Sequence, residues 1–360
     1  MLTVLHLIPT LEGGGAERQL SMLAAEQARR GFRVHVAVRR RGVHAQAMRD
    51  GGVELHDLGN WRSANPKLFF AIRKTLQHIK PEIVQTWLPQ MDILGGIAAI
   101  EKRTAWIISE RVSKGYYSEV PLVASLRLFL GRFASAIVAN SVGGEEYWRE
   151  ALRHPARLTT VLNAIDFDRI HGVTAQPEVS IRRPLLLAVG RFTSQKALEV
   201  IVRAMKNPSV RNLANILIMG EGPERPAIEA EIAAASLQGC VAVMPYQPDW
   251  WRWLKVADGL ISMSRYEGNP NVALEAMAGG CPVILSDIPA HREIADDCSA
   301  LFVPVDDVQA LSAAVTEFVS DKEKALQRAK CASVRVGSRT VKTMVDAYDS
   351  IYADVLNGKN

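Results

Sequence analysis

No apolar run in this 360-residue sequence approaches the ~20 residues that a membrane-crossing helix needs. The start, MLTVLHLIPTLEGGG, lacks a basic leader, and its short apolar run reads as a first buried strand and not a secretion signal. A soluble, cytoplasmic protein is the expectation. Cysteine is scarce: Cys240, Cys281, Cys298 and Cys331 are widely spaced and form no CxxC or Cys/His cluster, so neither a disulfide framework nor a zinc site is expected. No GxxxxGK[ST] occurs, which excludes a P-loop.

The length exceeds a single core and predicts two domains. Charge is uneven, with 22 Lys+Arg against 16 Asp+Glu in residues 1–168 and 21 against 22 in the remainder. The basic first half suits phosphate, nucleic acid or an acidic membrane surface, or is simply a solvated basic face. Runs such as TVLHLIP, RVHVAVRR, EIVQTWL, AWIISE and SAIVANS alternate with helical stretches, the pattern of a parallel sheet covered on both faces. It restarts with LLLAVGR, ANILIMGEG, CVAVMPY, DGLISMS and CPVILSD. The fold class predicted is α/β, two doubly wound Rossmann-like domains facing a cleft at the carboxyl ends of their strands. Residues 1–167 form the first, 168–184 a linker and 185–338 the second, with a last helix in 339–360 crossing back to the first.

Each half opens with a strand leading to a loop suited to phosphate. In LIPTLEGGGAERQL, Gly13, Gly14 and Gly15 let backbone N–H groups approach an anion at a helix N-terminus. Arg18 stands where a dinucleotide fingerprint needs its third glycine, which argues against an NAD-dependent dehydrogenase; a tight βα turn remains the plain alternative. In LLAVGRFTSQKALEV, a strand ends at Gly190 and presents Arg191 and Lys196, a guanidinium fork and an ammonium that suit a diphosphate without a metal. LIMGEGPERP repeats the device with Gly220, Glu221 and Gly222, and VMPYQPD offers Tyr246 near a base pocket. In RYEGNPNVALEAMAGGCPVILSD, Glu267 stands beside a strand-to-helix turn containing Gly268, Asn269, Pro270, Asn271 and Val272, and Glu275 projects from the helix to the same side. Ionised carboxylates accept hydrogen bonds from sugar or ribose hydroxyls. Solvated cations, ordinary turns and a helix N-terminal acid are the competing readings of these features taken singly.

Together, Gly13 to Glu17, Gly190-Arg191 with Lys196, GEGP, and the two glutamates of E-x(7)-E resemble family 4 of the retaining glycosyltransferases, which have the GT-B fold. The resemblance covers nearly the whole chain, including NAIDFDR at residues 163–169. It implies a nucleotide-sugar held mainly by the second domain, with Arg191 and Lys196 on the diphosphate, Glu275 on the ribose and Glu267 on the donor sugar near its reacting carbon. Gly190, Gly220, Tyr246, Gly268, Asn269, Asn271 and Val272 would line the donor, and Gly14 and Gly15 would close over the phosphates. It also implies retention of anomeric configuration, with no cofactor and no divalent metal, in keeping with the lack of an Asp-x-Asp motif in a suitable loop.

Where many relatives carry a histidine after the fourth strand, this chain reads IISERVSKGYY. Glu110 or Arg111 would then contact sugar or acceptor, as would Glu17; a structural ion pair is the other reading of Glu110 and Arg111. Pro245 and Ala197 replace frequent glycines. The EGNPNV loop is similar to those of bacterial lipopolysaccharide and capsule enzymes that move N-acetylhexosamines, which favours a UDP-sugar and a glycan or lipid-linked acceptor, with no nucleic acid. Residues 116–135 mix large apolar side chains with Arg127 and Arg132, and either rest on an anionic membrane at its inner face or bury their apolar side in the first domain. A hydrolysing nucleotide-sugar 2-epimerase and a non-catalytic sugar-nucleotide binder share the fold and stay open.

Overall fold

The computed structural model describes residues 1–62, 65–112, 114–152, 157–173 and 182–358. The chain divides into two compact units, Met1–Ala164 with Arg339–Asn360, and Ile165–Ser338.

The first unit holds a seven-stranded parallel sheet in the order β3-β2-β1-β4-β5-β6-β7. Its strands are β1 Thr3–Thr10, β2 Arg33–Arg40, β3 Glu54–Asp57, β4 Ile83–Trp87, β5 Ala105–Glu110, β6 Ala136–Ala139 and β7 Arg157–Thr160. Both faces are covered by helices, so central strands such as β4 and β5 are buried along their whole length. The last helix, Val341–Asn357, belongs to this unit: Met344, Val345, Tyr348, Tyr352 and Val355 share a core with Leu20 and Leu23.

The second unit has a six-stranded parallel sheet ordered β10-β9-β8-β11-β12-β13. These strands are β8 Leu185–Val189, β9 Asn215–Met219, β10 Val241–Met244, β11 Gly259–Ser262, β12 Val283–Ser286 and β13 Leu301–Val303. The chain runs outward from β8 to β10, then returns to β11 on the other side of β8. That reversal is a topological switch point, and ligands of open parallel sheets bind beyond the strand ends there. The loops after β8 and β11, which carry Lys196 and Glu267, flank it.

Of the linker predicted over 168–184, the first residues are helical. The second unit begins at Ile165, and Phe167–Gly172 is a helix whose Ile170 buries with Ile165 in that unit's core. Asp166 caps it by accepting from the Arg169 N–H at 3.0 Å. Residues 174–181 of that linker lie outside the described residues. Among the described residues no helix is long and apolar enough to cross a membrane.

Candidate functional site

Beyond β8 the chain makes a 3-10 turn, Ser194–Lys196, before the helix Leu198–Ala204. Lys196 doubles back along Gly190: a Cβ built on that glycine would lie 3.3 to 3.4 Å from the lysine's Cγ, Cδ and Cε. The bare glycine therefore gives the lysine stem its track. Lys196 Nζ meets Glu267 Oε1 in an ion pair whose side chains are 18% and 9% exposed. Ser264 Oγ donates to the same Oε1 at 2.7 Å. Burial alone would raise the Glu267 pKa, but the Lys196 charge and these two hydrogen bonds outweigh it and hold the carboxyl below its usual range. Arg191 is exposed on the rim, its Nη2 3.3 Å from Gln195 Oε1, and Gln195 Nε2 donates to the Tyr266 carbonyl at 2.9 Å. Arg265 pairs with Glu199 and Asp306, pinning the Glu267 loop to the lysine loop.

Glu275, in the helix Asn271–Ala278, is buried, and its Oε2 accepts from the indole N–H groups of Trp250 at 3.0 Å and Trp251 at 2.9 Å. Two charge-assisted bonds to one oxygen fix the carboxylate's direction. Gly220 and Gly222 are required by close approach: a Cβ would fall 1.8 Å from the Gly190 carbonyl oxygen and 2.4 Å from that of Phe192. The Phe192 N–H donates to the Glu221 carbonyl at 2.9 Å, so the two glycine loops form one platform. Asn269 is buried in the turn before that helix, with Gly268 beside it; Asn271, Val272 and Tyr246 are half-buried. Ala197 sits at φ 48°, ψ 41°, the left-handed region that glycine occupies without cost.

In the first unit, Gly14 caps the helix Gly15–Arg29, and both glycines are exposed. Glu17 folds back over them: a Cβ on Gly14 would sit 2.1 Å from Glu17 Oε2, and Glu17 Oε1 accepts from Thr10 Oγ1 at 2.8 Å. A carboxylate thus occupies the positive helix end.

Glu110 and Arg111, expected to contact sugar or acceptor or to be structural, have partners inside the first unit. Glu110 is fully buried and accepts from Arg127 at 2.6 Å, Trp148 Nε1 at 2.8 Å, and from the Tyr117 hydroxyl and the Val112 N–H, both at 3.0 Å. Arg127 also pairs with Asp92 at 2.6 Å, and both side chains are sealed. Arg111 donates to Asn163 at 2.9 Å and to the Tyr348 hydroxyl, and lies 4.4 Å over the Trp87 ring. Both side chains are thus engaged within the first unit.

The helix Pro121–Gly131 buries Ala124, Leu130 and Gly131 together with Arg127. Arg127 faces inward, while Leu122 is 85% exposed, Leu126 45%, Phe129 53% and Phe133 56%. The inner side thus carries apolar residues and the Arg127 charge together, and the outer side keeps large apolar side chains in solvent.

Residues 13–169 match the family model "Glycosyltransferase Family 4", and residues 183–321 match "Glycosyl transferases group 1". The chain belongs to glycosyltransferase family 4. It is 22% identical over 259 residues to an uncharacterized glycosyltransferase of Methanocaldococcus jannaschii, covering 64% of this chain and 63% of the relative. It is 26% identical over 207 residues to the Campylobacter jejuni N-acetylgalactosamine-N,N'-diacetylbacillosaminyl-diphospho-undecaprenol 4-alpha-N-acetylgalactosaminyltransferase, covering 55% and 56%. Both matches thus span under two thirds of the relative's length. The Rhizobium meliloti lipopolysaccharide core biosynthesis glycosyltransferase LpsE is 23% identical over 350 residues, 94% of this chain and 96% of that one. Among solved structures, Anabaena HepE in complex with UDP and glucose superposes with a TM-score of 0.86 at 17% identity, over 98% of this chain and 100% of that one. The fold is GT-B, two parallel-sheet Rossmann-like domains.

In this family 4 glycosyltransferase, sequence reasoning missed Trp250 and Trp251, whose only signal is three tryptophans in four residues, DWWRW. It also missed Ser264, Ser286 and His291. His291 is fully buried, its Nδ1 2.8 Å from the Ser286 carbonyl oxygen, while Ser286 Oγ donates to the Ser264 carbonyl at 2.6 Å. Burial pushes its pKa down to about 4, although the Glu267 charge pulls the other way. His291 thus stays neutral near the Lys196–Glu267 pair. No sequence spacing announces it, since β12 brings it there.

Proposed function

We propose that the second unit binds a nucleoside diphosphate-sugar, UDP-linked first, and that the enzyme transfers the sugar with retention of configuration. Lys196 carries this reading. It is a half-buried ammonium beyond the switch point, paired with one exchangeable carboxylate and backed by a glycine track. An arriving diphosphate competes for Lys196 and recruits Arg191 from the rim. Glu275, aimed by two indoles, takes the ribose hydroxyls; Glu267 faces the sugar.

The chemistry required is stabilisation of charge on the departing β-phosphate. As the bond from the anomeric carbon to the phosphate oxygen breaks, a new bond forms from that carbon to the acceptor hydroxyl on the same face. The acceptor's proton passes to the departing phosphate oxygen, so no protein nucleophile is needed. Removing a preorganised donor from such a site typically costs ~10²–10³ in rate.

For the acceptor we favour a lipid-linked or lipopolysaccharide glycan, and for the sugar an N-acetylhexosamine. Supporting this are the names of the Campylobacter and Rhizobium relatives, and the first unit's 25 Lys+Arg against 17 Asp+Glu. The outward stripe of Leu122, Leu126, Phe129 and Phe133, flanked by Arg132, favours peripheral contact with an anionic membrane. The test is a thermal-shift panel of nucleotide-sugars, followed by product analysis with undecaprenyl-diphosphate-linked acceptors. Stabilisation by UDP-N-acetylhexosamines above other donors, with an axial product linkage from an axial donor, is expected. An inverted linkage, or free sugar released as the 2-epimer without acceptor, would reject the reading.

A further inference from the structure

A second cluster of polar chemistry lies in the first unit, at the edge of its sheet. Strand β3 is four residues long and ends the strand order, paired with β2 in the register His35 to Glu54 and Ala37 to His56. Residues i and i+2 of a strand share a face, and partners in register share it too. His35, Glu54 and His56 therefore stand together on one side of two adjacent strands. Nothing in their sequence spacing shows this, because 19 positions separate the first histidine from Glu54.

The side chains converge. His35 Nδ1 is 2.9 Å from His56 Nε2 and 3.4 Å from Glu54 Oε2, and one ligand atom from each of the three residues lies within 4.8 Å of the others. Among the described residues this is the one such group of His, Cys, Asp and Glu. We propose that His35, His56 and Glu54 form a binding site for one borderline divalent ion, Zn²⁺ first, that ties edge strand β3 to β2.

Two imidazoles and a carboxylate with room for water are a donor set that suits such an ion. With Zn–N bonds of about 2.0–2.1 Å, tetrahedral nitrogens stand about 3.4 Å apart, so the ring nitrogens need to separate by about half an ångström. His56 is half-buried on an edge strand and Glu54 is exposed, so both can give way while buried His35 stays fixed. Both imidazoles are held below their usual pKa, by burial first, with nearby His78 opposing protonation of each. One of the two facing nitrogens carries the proton of the bond between them, and a tautomer shift to that ring's other nitrogen frees both lone pairs for the ion. Among the described residues His35 Nε2 has no hydrogen-bond partner, and a ligating imidazole without an outer acceptor binds about 10- to 100-fold more weakly. The affinity expected is therefore micromolar.

An ion here would brace a strand with little apolar anchorage. It belongs to the first unit, whereas the donor loops belong to the second, so it takes no part in the transfer proposed above. The experiment is Co²⁺ titration of full-length, tag-free protein, followed by Zn²⁺ displacement. One equivalent of Co²⁺ should give the visible d–d bands of a low-coordinate site, which Zn²⁺ abolishes. Saturating Zn²⁺ should raise the first unit's melting temperature by about 2–4 °C. His56→Gln should remove the bands, Glu54→Gln should weaken binding at least about tenfold, and His44→Gln should change nothing. Both test positions are on the accessible edge, and circular dichroism with unchanged UDP binding verifies their folding. Absence of d–d bands in the parent protein, or equal Co²⁺ affinity in the folded His56→Gln and Glu54→Gln proteins, overturns the proposal.

Discussion

Each unit sets a glutamate against a cation at or beyond the carboxyl end of a strand, and the two pairs have opposite fates. Glu110 with Arg127 is sealed, both side chains at most 1% exposed, and the carboxylate is saturated by four donor groups. Glu267 with Lys196 is open to the surface, and the lysine's stem lies on bare glycine backbone. The contrast separates structure from function better than charge identity does. A saturated buried pair has no capacity for a ligand, whereas a half-buried pair can exchange one partner for another.

The sharpest way to break the comparison is to cut both pairs. Arg127→Met strands Asp92 and Glu110 as buried carboxylates, and should cost about 3–5 kcal/mol. Hydrogen exchange should show that loss in the first unit. Glu267→Ala leaves the second unit folded, and should lower transfer by ~10²–10³ while UDP affinity moves by less than about tenfold.

Acidification sharpens the same contrast. His291 in the second unit and His6 in the first are both buried with pKa values pushed down to about 4. A histidine depressed on folding gives its stability fully above the unfolded value near 6.5, and loses it as pH falls toward the folded value, about 3 kcal/mol each. In the first unit Asp92 opposes this: burial raises its pKa to about 6, so between pH 6 and 4 the folded state gains a proton there. In the second unit the depressed Glu267 adds to the loss only below its unfolded value near 4.5. From pH 6.5 to 4.5 both units should lose protection, the second through His291 and the first through His6 and the likewise depressed His35 and His56, offset in part by Asp92, by unit-resolved hydrogen exchange corrected for intrinsic rates. Unchanged protection of the second unit over this range would contradict the His291 assignment. The smallest effect expected is Ala197→Gly, which relieves a left-handed alanine and should stabilise the second unit by about 0.5–1 kcal/mol in thermal melts.

Much of the second unit was legible because its chemistry lies in contiguous loops: Gly190 to Lys196, and Glu267 to Glu275, are each fixed by one strand-to-helix connection. The clamp on Glu275 was not, since Trp250 and Trp251 reach it from another connection, 25 and 24 positions away. In the first unit the sequence left Pro121–Gly131 open between a membrane-facing and a buried apolar side. Two buried carboxylates draw Arg127 inward beside Ala124 and Leu130, while Leu122, Leu126 and Phe129 stay outside, which residue composition alone does not sort. The His35–His56 cluster was equally hidden, because parallel register, not spacing, creates it.

The central claim is that Lys196 grips the diphosphate. Isothermal titration of UDP into the parent protein and Lys196→Ala tests it directly. The account predicts a fall in affinity of about 10- to 100-fold, with the melting temperature of the second unit little changed. Equal UDP affinity in the two folded proteins would contradict it.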